Sequence, residues 1–280
     1  MPVDLHTHST WSDGSDTPER LVARAAELGL DAVALTDHDT LEGINEARAA
    51  AHEQGIQLVS GTEISCEWPP GTMHLVVLFL EPAPGPLQDR LRGLQDARSR
   101  RNEVIVRRLQ DLGIDVRYDE ILAEAGSGSV GRPHFAEVMV RNGYVPDVRA
   151  AFDEYLAKGK PGYVARERLR PEEAIRLARE SRAVPVVAHP HTLGLDTAAD
   201  FAETFEMLTA AGLVGVESIY GEYDPDEQAR FTDLATRFGL LPSGGSDYHG
   251  TYKEGLELGS GRGWLNVPRS VLDHLRAAAE

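Results

Sequence analysis

Val3-Asp4-Leu5-His6-Thr7-His8, residues 3–8, reads as a first β-strand that ends on two imidazoles. Residues two apart in a strand point to the same face, so His6 and His8 aim at one place. Two imidazoles aimed together form a metal-binding nucleus. A lone His-x-His is equally a polar pair near a chain terminus, and the rest of the chain has to decide between these readings.

Outward from this stretch, short β-branched runs alternate with amphipathic helical stretches. Residues 18–28 read as a helix, with Thr17 as N-cap, Pro18 at the first helical position and Gly29 as stop. A buried strand follows at 32–36, then a helix at 42–54 closed by Gly55, then strands at 57–60 and 73–80. The alternation resumes with a helix at 171–181 and a strand at 184–188, then a helix at 199–210 and a strand at 214–217. It ends with a helix at 225–238 and strands at 240–244 and 264–267. Such alternation predicts an α/β fold, a parallel sheet or barrel with its helices outside. Residues 84–169 interrupt it with charged helical stretches at 87–112, 119–125, 133–142 and 147–157. That span is too long for a barrel loop and reads as a helical insertion, leaving 1–83 and 170–280 as the barrel. Gly126-Ser127-Gly128-Ser129 reads as a linker within the insertion.

The ligand-type side chains gather at or just past the ends of the strands: His6, His8, Asp13, Asp37, His38, Asp39, Glu63, His189, Asp247 and His249. In parallel barrels that face carries the chemistry. His74, at a strand start, and His134, in the insertion, break this rule. Of the ten histidines only His52 and His274 fall on outer helices, as ordinary surface residues. The donors are nitrogen and carboxylate oxygen, which suits Zn²⁺, Mn²⁺ or Fe²⁺. So many donors imply at least two ions, which Glu63 could bridge, and clustered ions with open positions suit phosphate-ester hydrolysis.

Composition excludes several alternatives. The chain has 280 residues, 41% of them hydrophobic, and a formal net charge of −17, which argues against an extended duplex nucleic-acid surface. The single cysteine, Cys66, allows no disulfide framework and no thiolate cluster, and reads as a small buried residue. No apolar run reaches membrane-spanning length and no signal or transit segment is read, so a soluble cytoplasmic protein is expected. No Gly-x-Ser-x-Gly, P-loop or Gly-x-Gly-x-x-Gly signature is present. Arg98, Arg100, Arg101, Arg107 and Arg108 on the first insertion helix read as a solvated face, with the sharper option that one or two of them reach a substrate phosphate.

His6-Thr7-His8-Ser9, Ser12-Asp13-Gly14, Thr36-Asp37-His38-Asp39-Thr40, Gly61-Thr62-Glu63, Ala188-His189-Pro190 and Gly245-Ser246-Asp247-Tyr248-His249 together resemble the motifs of the PHP (polymerase and histidinol phosphatase) superfamily. Glu63-Ile64-Ser65, Trp68, His74, Gly131-Arg132-Pro133-His134 and Gly159-Lys160-Pro161-Gly162-Tyr163-Val164 are similar to its bacterial nucleotide phosphoesterase branch. The resemblance implies a distorted (β/α)7 barrel, with the insertion as a substrate-capping subdomain over its C-terminal face. It implies two to three divalent ions, manganese first, with zinc, iron or magnesium as substitutes. One ion would take His6, His8, Glu63 and Asp247, a second Glu63, His74 and His134, and a third Asp13, His38 and His249. Asp37 and Asp39 would support rather than bind. Arg132 and His189 would act on the phosphate, with His189 binding it or protonating the leaving oxygen (a metal-bound water being the other proton source) as hydroxide held between ions attacks phosphorus. Arg98, Arg101 and Lys160 would hold the rest of the substrate.

The implied substrate is a small phosphorylated molecule, the 3′-phosphate of a 3′,5′-bisphosphonucleotide or the 5′ end of short RNA. A histidinol-phosphate phosphatase is the nearest rival. A non-catalytic metal-binding module or a polymerase proofreading module is the rival of another class, and the chain carries no polymerase region. A monomer is compatible with all of these.

Overall fold

A computed structural model describes residues 2–126 and 128–279, so Ser127 of the expected linker lies outside the described residues. The chain divides into two compact units, Met1–Leu91 with Arg168–Glu280, and Arg92–Glu167.

The first unit is built on a barrel-like sheet of β1 (Pro2–Asp4), β2 (Ala32–Leu35), β3 (Gln57–Ser65), β4 (His74–Leu78), β5 (Val184–Val187), β6 (Gly215–Tyr220), β7 (Leu241–Gly245) and β8 (Val267–Pro268). The helices are α1 (Pro18–Glu27), α2 (Ile44–Gln54), α3 (Pro86–Asp111), α4 (Tyr118–Ala125), α5 (Arg132–Arg141), α6 (Val148–Ala151), α7 (Pro171–Glu180), α8 (Ala198–Ala210), α9 (Pro225–Arg237) and α10 (Arg269–Ala277). The strand order is β7-β6-β5-β4-β3-β2-β1-β8. The β1–β2, β2–β3, β5–β6 and β6–β7 pairs are parallel, while β4 runs antiparallel to both neighbours and β8 antiparallel to β1.

Two sequence expectations change here. The third strand does not stop at residue 60 but continues to Ser65, because its second half pairs with β4 as a hairpin (Glu63 opposite Val76, Ser65 opposite His74). Glu63 therefore projects from within a strand instead of from a loop after one. The reversal of β4 also accounts for His74: the first residue of an antiparallel strand lies at the same end of the sheet as the last residues of its parallel neighbours. Ala188, just past β5, donates its N–H to the His74 carbonyl at 3.0 Å.

The expected strand 3–8 is regular only through Asp4. Beyond it the chain threads between the ends of β2 and β7. Leu5 N–H donates to the Gly244 carbonyl (3.1 Å), Asp247 N–H to the His6 carbonyl (2.9 Å), His8 N–H to the Tyr248 carbonyl (2.9 Å) and Thr36 N–H to the Thr7 carbonyl (3.0 Å). The two histidines are thus fixed by backbone from both sides, and the sheet closes where they stand.

Alternation along the strands sorts the core. Ala32 and Ala34 of β2 join Val3, Leu5, Val59, Val76, Leu78, Val184 and Val186 in one cluster, completed by Leu272 and Leu275 of α10. The intervening Val33 and Leu35 pack instead with Leu21 and Val22 of α1 and Ile44 and Ala47 of α2. The expected helix punctuation is present: the Thr17 hydroxyl accepts from Arg20 N–H at 3.3 Å, and Gly29 and Gly55 adopt φ of 73° and 69°.

A Cβ on Gly245 would lie 2.4 Å from the His6 nitrogen and 2.5 Å from its Cβ. Gly245→Ala is therefore expected to destabilise the fold by about 1–3 kcal/mol through overpacking. It should also displace His6, read as a lower melting temperature together with weakened metal uptake.

The second unit has its own core, with Ile105 and Leu109 of α3, Ile121 of α4, and Phe135, Val138 and Met139 of α5 packed with Leu156. The buried Asn102 Nδ2 ties α3 to the Val130 carbonyl at 3.1 Å. The helix expected at 147–157 is two elements, α6 and a π-helical turn over Phe152–Leu156. Among the described residues no helix is long and apolar enough to cross a membrane.

Candidate metal centre

Glu63 is buried, and imidazole nitrogens surround its carboxylate. Its Oε2 lies 3.5 Å from His6 Nε2, 3.3 Å from His8 Nε2 and 3.1 Å from His38 Nδ1. Its Oε1 lies 2.9 Å from His74 Nδ1 and 3.0 Å from His189 Nε2. Asp247 Oδ1 adds a second carboxylate, 3.5 Å from His6 Nε2 and 3.3 Å from His8 Nε2. Asp13, more exposed, sits 3.4 Å from His249 Nε2, 3.5 Å from His8 Nδ1 and 3.6 Å from His38 Nε2. Four sets of donor atoms lie close enough together to hold an ion: His8, Asp13, His38 and His249; His6, His8 and Asp247; His6, Glu63 and His189; His38, Glu63 and His74. All four are made within the first unit.

The donors fit divalent metal ions. His6 Nε2 and His8 Nε2 face each other at 3.1 Å, and the buried His38 Nδ1, though near Glu63, is not aligned for a hydrogen bond with it. Nitrogen and oxygen atoms converging on common points are what coordination needs. Cys66 is buried, and burial pushes its thiol well above the usual range.

The surrounding groups select which nitrogen each ring presents. Glu217 Oε1 lies 3.0 Å from His6 Nδ1, leaving Nε2 for the cluster, and Glu217 Oε2 accepts the His189 N–H at 2.7 Å. His249 Nδ1 donates to the Asp247 carbonyl at 2.7 Å, leaving its Nε2 toward Asp13. Asp37 accepts from Ser9 N–H (2.7 Å), Ser9 Oγ (2.6 Å) and Ser12 Oγ (2.6 Å). Asp39 Oδ1 accepts the Ser65 N–H at 3.3 Å. Asp39, Asp247 and His189 hold positive φ of 55°, 55° and 28°, and are three of five such non-glycine residues among the described residues.

Charge compensation is visible in the ionisation of the cluster. Burial disfavours the protonated imidazoles, yet the charges of Glu217, Glu63 and Asp247 outweigh it and hold His6 well above its usual range. His8 is opposed by burial in the same way and is pushed up to about 10 by Asp247, Glu63 and Asp13. His38, desolvated and beside other imidazoles, drops to about 3. Burial would raise Glu63 and Asp247, but the neighbouring imidazoles, and Lys253 beside Asp247, hold both well below the usual carboxylate range.

A metal ligand must be deprotonated, so Mn²⁺ is expected to displace protons held by His6 and His8. Apparent Mn²⁺ affinity should therefore rise with pH through neutrality toward about 10, the value for His8. Titration calorimetry at pH 7 in buffers of different ionisation enthalpy checks this: the apparent heat should depend on the buffer, and a buffer-independent heat would contradict it.

The sequence reading passed over three residues here. Glu217 and Tyr220 belong to β6, which was expected to end at 217, and Tyr220 Oη donates to Asp247 Oδ2 at 2.8 Å. Lys253 also donates to Asp247 Oδ2. Glu217, a carboxylate at the end of the expected strand 214–217, was the one local signal. His189, expected to act on substrate, stands among the ligand-type groups, and its Nδ1 lies 3.2 Å from Thr192 Oγ1.

The remaining expected residues lie in the second unit. Arg132 donates to the Leu156 carbonyl at 3.1 Å, with its guanidinium over the rings of Phe152 (5.7 Å) and Tyr163 (5.4 Å). His134 Nδ1 accepts the Gly131 N–H at 3.1 Å at the start of α5. Arg98 donates to Ser129 Oγ, Arg101 to the Val164 carbonyl at 3.0 Å, and Lys160 is exposed.

This fold and this cluster define a metal-dependent phosphoesterase. Residues 4–164 match the PHP domain, and the chain belongs to that family. It is 35% identical to a 3′,5′-nucleoside bisphosphate phosphatase of Chromobacterium violaceum over 98% of this chain and 96% of that protein. It is 35% identical to the 5′-3′ exoribonuclease Rnm of Salmonella typhimurium over 88% of this chain and 84% of that one. A structure described as that of a metal-dependent phosphoesterase from Bifidobacterium adolescentis superposes with a TM-score of 0.80 at 29% identity, covering 99% of this chain and 98% of the other.

Proposed function

We propose that this protein hydrolyses phosphate esters of nucleotides, with the 3′-phosphate of a 3′,5′-bisphosphonucleotide as its first substrate and the 5′ ends of short RNA as a second. The observation that carries the reading is Glu63, one buried carboxylate set between His6 and His8 on one oxygen and His74 on the other. The near full-length similarity to the bisphosphate phosphatase supports the substrate class.

Three ions, manganese first, would be held by His6, His8, Glu63 and Asp247, by Glu63 and His74, and by Asp13, His38 and His249. Bound there, they supply neutralisation of the phosphate oxygens and acidification of water. The residues of the chain do the rest. Glu217 fixes the His6 ring from behind and, through the His189 backbone N–H, the turn that carries His189. His189, its Nε2 3.0 Å from Glu63 Oε1, would bind the phosphate or protonate the departing ribose oxygen. Tyr220 stays protonated, since burial and the charges of Asp247 and Glu217 hold its phenol far above the usual range. It restrains one oxygen of Asp247 so that the other faces the imidazoles. Arg132 of the second unit, its guanidinium held over two aromatic rings, is proposed as a phosphate-binding residue.

The test compares 3′-phosphoadenosine 5′-phosphate, a short 5′-phosphorylated RNA and histidinol phosphate at equal enzyme with Mn²⁺. The highest kcat/KM is expected for the bisphosphate, with phosphate leaving the 3′ position. A preference for histidinol phosphate would reassign the substrate.

A further inference from the structure

We propose that Lys253 is a substrate-binding residue of this centre, its ammonium taking an oxygen of the phosphate that the cluster receives. The inference rests on the phosphoesterase reading and adds a residue to it.

Lys253 follows the short 3₁₀ turn Gly250–Tyr252, directly after the motif that carries Asp247 and His249. Its Nζ donates to Asp247 Oδ2 and lies 3.4 Å from Tyr220 Oη. The other oxygen of the same carboxylate, Oδ1, faces His6, His8 and His249 at 3.5, 3.3 and 3.5 Å. The ammonium is thus one carboxylate away from the donor cluster.

Accessibility separates Lys253 from the rest of this group. The Asp247 side chain is 4% exposed and that of Lys253 36% exposed, so the lysine side chain meets both the buried carboxylate and solvent. An ammonium has three donors. Asp247 and Tyr220 engage up to two, which leaves a donor for an arriving anion. An ordinary surface ion pair is loose and contributes little. Here the acceptor is buried and clamped by Tyr220 at 2.8 Å, so the ammonium is tethered in place.

An ammonium here adds to the positive charge that bound ions would supply. A phosphate ester brings negative charge to a site already containing Glu63, Asp247, Glu217 and Asp13, and lysine binds phosphate as a compact point charge. A cation anchored on one wall offsets part of that charge without occupying a position that an imidazole or carboxylate donor provides.

The test uses the full chain loaded with Mn²⁺ and inorganic phosphate as the probe, comparing wild type, Lys253→Met and Lys253→Arg by titration calorimetry, with bound manganese measured in each. Lys253→Met is expected to weaken phosphate binding about tenfold or more with manganese stoichiometry unchanged, and Lys253→Arg to restore it to within a few-fold. With 3′-phosphoadenosine 5′-phosphate, the methionine variant should raise KM more than it lowers kcat. Equal phosphate affinity in wild type and Lys253→Met, or undetectable binding in wild type, would overturn the proposal. So would loss of manganese in Lys253→Met, which would make the lysine a support for Asp247. Phosphate binding that depends on Lys253 in a protein that hydrolyses no ester would uphold this site while removing the phosphoesterase reading.

Discussion

Replacing Glu63 by glutamine is expected to lower kcat/KM by about 10³-fold or more, about 4 kcal/mol of transition-state stabilisation, while the protein remains folded. Glutamine has nearly the same shape, so the packing around this 1%-exposed side chain survives. What disappears is the negative charge between His6, His8 and His38 on one oxygen and His74 and His189 on the other. A neutral amide binds divalent cations weakly, and its NH₂ end would point hydrogens at ring nitrogens that must offer lone pairs. Circular dichroism should be unchanged while manganese content and phosphate release both fall. A folded Glu63→Gln protein with wild-type manganese content would show that Glu63 is not needed to hold the metal.

Glu217→Gln is the second large effect, and its mechanism differs because Glu217 presents no atom to the proposed ions. Its carboxylate holds His6 Nδ1 at 3.0 Å and the His189 N–H at 2.7 Å, setting the tautomer and angle of one ring and the turn that carries the other. Outer partners of this kind contribute about 10–100-fold to metal affinity. The glutamine variant keeps one acceptor for His6 but loses the charge that makes its ring a stronger donor. Competition for Mn²⁺ against a chelating dye should show affinity lowered by about tenfold or more, with the melting temperature of the chelator-treated protein close to wild type. Unchanged affinity would remove Glu217 from the account of the metal centre.

The contrast between these two glutamates shows what the sequence could reveal. Glu63 stood in a recognisable motif near a strand end, beside the equally legible His6-Thr7-His8 and Asp37-His38-Asp39. The helices announced themselves locally, through Thr17 and Pro18 at one end of α1 and Gly29 just past the other. Long-range pairing was not legible. That β3 runs on to Ser65, and that β4 is reversed, depends on the register between the two strands and with β5, which no local pattern encodes. His74 consequently looked misplaced at the start of its strand, although the reversal brings it to the active end of the sheet. Glu217 is 211 residues from His6, and Tyr220 is 27 from Asp247, so their roles exist only once β6, β7 and the 3–8 stretch are assembled. Apolar alternation does not distinguish a carboxylate facing a metal cluster from one at the end of a strand.

The most direct test is phosphate release from 3′-phosphoadenosine 5′-phosphate by metal-stripped protein, before and after adding Mn²⁺, with Asp247→Ala measured in parallel. The expected result is negligible release from the stripped protein, restoration by Mn²⁺, and no restoration in Asp247→Ala. Equal release with and without Mn²⁺, or full activity of Asp247→Ala, would contradict the assignment of this cluster as the catalytic metal centre.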